Sequence, residues 1–97
     1  MIRRRLVVSG EVQGVWFRDT CRRVATGAGV AGWVRNLPDG AVEAVVEGPP
    51  DGVAEVVAWA RHGPDRATVE DLALFDEQPE GLRGFEIRPT PGPGGRR

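Results

Sequence analysis

The stretch "GEVQGVWFRD", residues 10–19, sets two glycines, an amide and an arginine between an aliphatic run and the start of a helical pattern. A loop that leaves a strand and opens a helix aims several backbone N–H groups in one direction, and the helix dipole adds partial positive charge there. Such a loop is suited to binding an anion. Gly14 lets the backbone bend close to a ligand. Arg18, in the first helical turn, can lay a planar guanidinium fork against phosphate or carboxylate oxygens. On this stretch alone a second reading stands at even weight, in which Gly14 only makes the turn and Arg18 is a solvated surface arginine.

The chain around the loop has 97 residues, enough for one small domain and no second. Thirteen basic residues against fourteen acidic ones give a net charge of -1, so no chain-wide positive field draws in nucleic acid. Cys21, the single cysteine, can form no internal disulfide and no thiolate metal cluster, which makes a reducing cytoplasm the expected location. The basic start "MIRRRLVVSG" has too short an apolar run for a signal peptide, and no run approaches the length of a membrane span. Residues 1–88 are expected to form the domain. Residues 89–97, rich in Pro and Gly, are expected to form a flexible tail.

The elements that must position the loop follow from periodicity. In "RLVVSGEVQ", Leu6, Val8, Gly10 and Val12 fall on one side and Arg5, Ser9, Glu11 and Gln13 on the other, which predicts strand one. Phe17, Cys21, Val24, Ala25 and Ala28 form one stripe of helix one. "GWVRNLPDGAVEAVVEG" predicts a hairpin whose turn is "LPDG", with Pro38 presetting the turn and Gly40 taking a positive φ. Val53, Val56, Val57 and Ala60 mark helix two, opened by prolines and closed by Gly63 and Pro64. "ATVEDLALFDE" predicts a fourth strand, and "GFEIRP" a short fifth with Phe85 and Ile87 on one side. This order is the split βαβ unit. It predicts an α+β, ferredoxin-like α/β sandwich (βαββαβ) in which two helices cover one face of an antiparallel sheet and the other face lies open.

"GEVQGVWFR" followed by "GWVRNLPDGAVE" resembles the acylphosphatase family, whose signatures read G-x-V-Q-G-V-x-F-R and G-W-V-x-N-x-x-D-G-x-V-E; both fit without a gap. The resemblance runs from about Arg5 to Arg88 and includes Gly63, Pro64, Ala67, Val69 and the closing "FEI". Trp16 stands at a variable position, the end of helix one is glycine-rich, and the tail lies outside the pattern. The resemblance implies hydrolysis of a carboxyl-phosphate anhydride to a carboxylate and inorganic phosphate, with no metal or cofactor. Carried over, Arg18 binds the phosphoryl group, the backbone amides of Gln13, Gly14, Val15, Trp16, Phe17 and Arg18 cradle its oxygens, and Asn36 orients the attacking water. A carboxylate leaving group has a conjugate-acid pKa of about 4, so no general acid is required. The family's usual account lets the substrate's own phosphate take the water's proton, which makes a side-chain base dispensable as well. Asn36 closes strand two, and the split order leads us to expect strands one and two as neighbours, aiming it toward the loop.

Other motifs compete less well. "GAGVAG", residues 27–32, fits G-x-G-x-x-G and Glu47 follows at a dinucleotide-like distance, but the motif closes a helix instead of opening one. Cys21 lies on the apolar stripe of helix one and reads as core, His62 as a helix-end or surface residue, Trp33 and Trp59 as packing, and Trp16 as a residue of the site mouth. Strand three, "AVEAVVEG", lacks the basic, aromatic signature of RNA-recognition sheets. The expected partner is a small acyl phosphate, with no nucleic acid, no membrane and a monomeric chain. The remaining alternative is an acylphosphatase-like module that binds a metabolite or a protein with little turnover.

Overall fold

The computed structural model describes residues 1–92. In chain order its elements are β1 (Ile2–Glu11), α1 (Phe17–Gly27), β2 (Ala31–Asn36), β3 (Val42–Gly48), α2 (Pro50–Ala60), β4 (Thr68–Glu77) and β5 (Phe85–Ile87). The strands form one sheet in the order β4-β1-β3-β2-β5. Residues 88–92 carry no regular secondary structure, and the rest of the expected tail, 93–97, lies outside the described residues.

The predicted periods appear as faces. Leu6 and Val8 of β1, Val34 of β2, and Val42, Ala44 and Val46 of β3 join one buried cluster with Phe17, Cys21 and Ala25 of α1 and Val53, Val56, Val57 and Ala60 of α2. Both helices therefore cover the same face, because residues two apart on a strand share a side. Each fully buried Val or Leu contributes about 1.5–3 kcal/mol of transfer free energy, so this layer dominates stability. Phe17 and Trp59 close the gap between the helices with ring centroids 5.0 Å apart. Gly52 allows α2 to approach closely, since a Cβ there would lie 2.6 Å from the Ala28 carbonyl oxygen.

Three features differ from the expectation. β1 and β2 are not neighbours, because β3 lies between them and pairs antiparallel with both. The sheet is not wholly antiparallel, since β5 runs parallel to β2, with Val34 opposite Ile87. β1 also begins at Ile2, earlier than the alternating run, because the arginines at its start are paired across strands. On the open face Arg35 Nε donates to Glu43 at 2.8 Å, Arg5 bridges Glu43 (3.4 Å) and Glu77 (3.1 Å), and Arg3 Nε donates to Glu77 at 2.9 Å. This ladder crosses β2, β3, β1 and β4, turning a basic run into strand. The hydrogen bond from Arg3 holds the Glu77 carboxyl below its ordinary range, against burial, which acts the other way.

Glu47 is the one buried charged residue among those described, 2% exposed. Its carboxylate accepts N–H bonds from Glu80 (2.8 Å), Gly81 (2.7 Å) and Leu82 (2.8 Å), and Arg3 lies 3.6 Å away. Burial pushes its pKa up, but the three amides and Arg3 outweigh that and hold it below the usual carboxylate range. Glu47 thus pins the connection from β4 to β5, a structural role with no resemblance to a ribose contact. Of the glycines in "GAGVAG", Gly29 links α1 to β2 with φ +71, while Gly32 lies inside β2, where a Cβ would strike the Val45 carbonyl oxygen.

Candidate active site

The loop between β1 and α1 is shaped by backbone that few side chains tolerate. Gly14 has φ 75, a value glycine adopts at no steric cost. Trp16 has φ 66 and ψ 21, the left-handed region, and is the only non-glycine with positive φ among the described residues. For a bulky side chain that conformation costs on the order of 1–3 kcal/mol and persists only where surrounding structure enforces it. No side chain caps α1. The N–H groups of Phe17 and Arg18, in its first turn, have no intrahelical partner. The N–H groups of Gly14, Val15 and Trp16 likewise make no backbone hydrogen bond among the described residues. A run of unpaired donors at the positive end of a helix dipole is an anion cradle.

Gln13 explains how the loop reaches Asn36 across an intervening strand. Its side-chain amide donates to the carbonyls of Leu37 (2.8 Å) and Ala41 (2.9 Å), the two residues flanking the "PDG" turn. The loop is thereby tied over the start of β3 onto the hairpin. The turn itself is closed by Leu37 N–H on Ala41 (2.8 Å), by Gly40 N–H on Leu37 (3.2 Å), and by Ala41 N–H on the Asp39 carboxylate (3.0 Å). Asn36 shares the helix-covered face with Val34, two residues before it, and its row continues through Val42 to Val8 of β1.

These elements enclose a cavity of about 370 Å³ lined by Val12, Gly14, Trp16, Phe17, Arg18, Asp19, Asn36 and Ile87. Arg18 and Asn36, from separate strand-helix and strand-turn junctions, therefore face one space. The Asn36 Oδ1 is buried and has no hydrogen-bond partner, and Asn36 is one of the residues that line the cavity. Arg18 makes no salt bridge with any described residue. Asp19, which would oppose an anion, is paired instead with Arg22 (3.3 Å) and Arg23 (3.8 Å).

Of the loop residues expected to cradle phosphate, Gly14, Trp16, Phe17 and Arg18 line the cavity, whereas Gln13 and Val15 do not. Gln13 serves as the tie just described, and Val15 packs against the core. Sequence reasoning missed Val12, Asp19 and Ile87 as lining residues. The only signal for Ile87 was the alternation in "FEI"; its place beside Val34 depends on the parallel pairing. Cys21 is buried, and burial pushes its thiol up to about 12, so it holds no thiolate at neutral pH. His62 lines a different groove, with Arg4, Arg61 and Leu74. Among the described residues no three His, Cys, Asp or Glu side chains converge where they could hold a metal ion, and no helix is long and apolar enough to cross a membrane.

Fold and site together define a small α+β sandwich domain whose strand-helix loop leaves a run of backbone donors free beside a cavity shared by Arg18 and Asn36. The acylphosphatase family model matches residues 4–87, and the chain belongs to the acylphosphatase family. An acylphosphatase of Gloeobacter violaceus is 55% identical over 86 residues, 89% of this chain and 92% of that protein. The crystal structure of an acylphosphatase from Bacillus subtilis superposes with a TM-score of 0.88 at 35% identity, covering 91% of this chain and 99% of the other. One from Coxiella burnetii gives 0.86 at 34% identity, covering 90% and 92%.

Proposed function

We propose that the protein hydrolyses acyl phosphates to a carboxylate and inorganic phosphate, and that Arg18 and Asn36 are its catalytic residues. The observation that carries the residue assignment is the buried, unpartnered Asn36 Oδ1 on the same cavity as an Arg18 free of carboxylates. The phosphoryl oxygens sit on the amides of the 14–18 segment and on the Arg18 guanidinium, capping α1 electrostatically. Gln13 contributes by fixing the loop. The Asn36 Oδ1 accepts a hydrogen bond from a water, turning a lone pair toward phosphorus. The water oxygen forms the new P–O bond as the bond to the acyl oxygen breaks, and the departing pair stays on the carboxylate. The water's proton passes to a phosphoryl oxygen.

This transition state is loose and spreads charge over the equatorial oxygens, so positioning and electrostatic stabilisation are most of the task. A carboxylate with a conjugate-acid pKa of about 4 leaves unprotonated, which fits a cavity whose one carboxyl, Asp19, is held by two arginines. The enzyme works without metal or cofactor, as a monomer in a reducing cytoplasm, and its partners are the substrate and inorganic phosphate. It has no nucleic-acid or membrane partner.

The test is hydrolysis of benzoyl phosphate by purified protein in EDTA. Removing one preorganised donor costs about a hundred- to a thousandfold in rate. Arg18→Ala and Asn36→Ala should each lose about that much in kcat/KM while remaining folded. Hydrolysis untouched by both changes overturns the residue assignment. Phosphate binding without turnover by the wild type favours the binding-module alternative.

A further inference from the structure

Four large apolar side chains are exposed among the described residues, and two of them, Trp16 (72%) and Ile87 (36%), line the one cavity that holds Arg18 and Asn36. The other two lie elsewhere: Met1 lines a separate groove with Glu47 and Phe85, and Phe75 lies under the Arg5 guanidinium, 4.3 Å from the ring centroid. Neither a second ring nor a guanidinium covers Trp16 among the described residues. Its left-handed backbone is an unfavourable setting for so large a side chain, and at 72% exposure it recovers little burial energy from the fold itself. Val12 and Phe17 extend the same apolar lining inward.

The cavity thus has two chemistries. One part consists of free amides, Arg18 and Asn36, which take the phosphoryl group. The other is a wall of indole and aliphatic surface, Trp16 from the loop and Ile87 from β5. An acyl phosphate held by its phosphoryl end would have this wall in the same cavity available to its acyl group.

We propose that Trp16 and Ile87 form an apolar acyl subsite that selects aromatic or bulky apolar acyl phosphates over acetyl phosphate. The inference rests on the hydrolytic reading above and adds the class of substrate. An aromatic acyl group covers the indole by stacking and gains contact area on Ile87, whereas an acetyl group reaches little of either.

The experiment compares kcat/KM for benzoyl phosphate and acetyl phosphate in the wild type, Trp16→Ala, Trp16→Phe and Ile87→Ala, with circular dichroism confirming that each is folded. The readout is the benzoyl-to-acetyl ratio, in which any loss common to both substrates cancels. The ratio should fall about three- to tenfold in Trp16→Ala, the size of one aromatic contact, mainly through a raised KM for benzoyl phosphate. It should fall less in Ile87→Ala, and Trp16→Phe should retain most of it. Ile87 lies on a separate element, so its variant reports on the subsite even if the loop variants fail to fold. A ratio unchanged in Trp16→Ala or in Ile87→Ala overturns the subsite while leaving hydrolysis standing. A wild type inactive on both substrates overturns the hydrolytic reading and this inference with it.

Discussion

Replacing Gln13 by Ala tests whether the loop is held in register with Asn36 by a single side chain. The change deletes two hydrogen bonds, of 2.8 and 2.9 Å, to the carbonyls of Leu37 and Ala41. Neither carbonyl is orphaned, because Leu37 still accepts from Gly40 and Ala41 from Leu37. The stability loss should therefore be near the ordinary net value, about 1 kcal/mol per bond and about 2 kcal/mol in all. For a domain of this size that is a fall of roughly 10 °C in Tm. The effect on rate has a different origin. Once untied, the loop can drift from the hairpin, and a misplacement of about 1 Å between reacting groups costs about a hundredfold. We expect kcat/KM for benzoyl phosphate to fall ten- to a hundredfold at a temperature where the variant is fully folded. If Gln13 acts by aligning the loop with Asn36, its effect should largely vanish in an Asn36→Ala background, since there is then no held water to misalign. A double-mutant cycle measures this directly. Additive losses, or full activity in Gln13→Ala, would refute the tie as a positioning device.

The other expectations are independent of that one. Asn36→Asp keeps the shape but sets a negative charge beside the phosphoryl group, so activity near neutral pH should fall at least a hundredfold; retained activity counts against the water-positioning role. Glu47→Gln replaces an acceptor of three N–H bonds by a group that itself carries N–H, and should lower stability by about 3 kcal/mol at neutral pH, read by urea unfolding. The folded pKa of Glu47 is depressed, so its contribution is complete above its unfolded value, about 4.3, and is lost as pH falls through the folded value. The wild type should therefore lose stability more steeply than Glu47→Gln below about pH 4, and parallel acid curves would contradict the anchor. Cys21, with its thiol pushed up to about 12, should resist Ellman's reagent in the native state and react only on unfolding, and rapid native labelling would contradict its burial.

Local pattern alone carried much of the architecture. The two-residue alternation of β1, the helical stripe Phe17, Cys21 and Ala25, and the Pro38–Gly40 turn all appear where the sequence puts them, because each depends on neighbours in the chain. The turn between β1 and α1 was legible for the same reason: a strand, a flexible glycine and a helix start suffice to line up N–H groups that lack backbone partners.

What the sequence determined by itself was the set of elements, the face each would bury, and the residue types able to hold a phosphoryl group. Alternation fixes which side of a strand is apolar, but not which strand lies beside it, and that choice was left to the folded chain. Tertiary structure placed β3 between β1 and β2, so that Asn36 meets the loop through the Gln13 tie and not through a shared strand edge. Parallel pairing of β5 with β2 put Ile87 on the lining of the cavity. Burial turned Glu47 into an anchor and left the Asn36 Oδ1 without a partner. Each of these follows from contacts between residues far apart in the chain, whose energies depend on neighbours that no local period specifies.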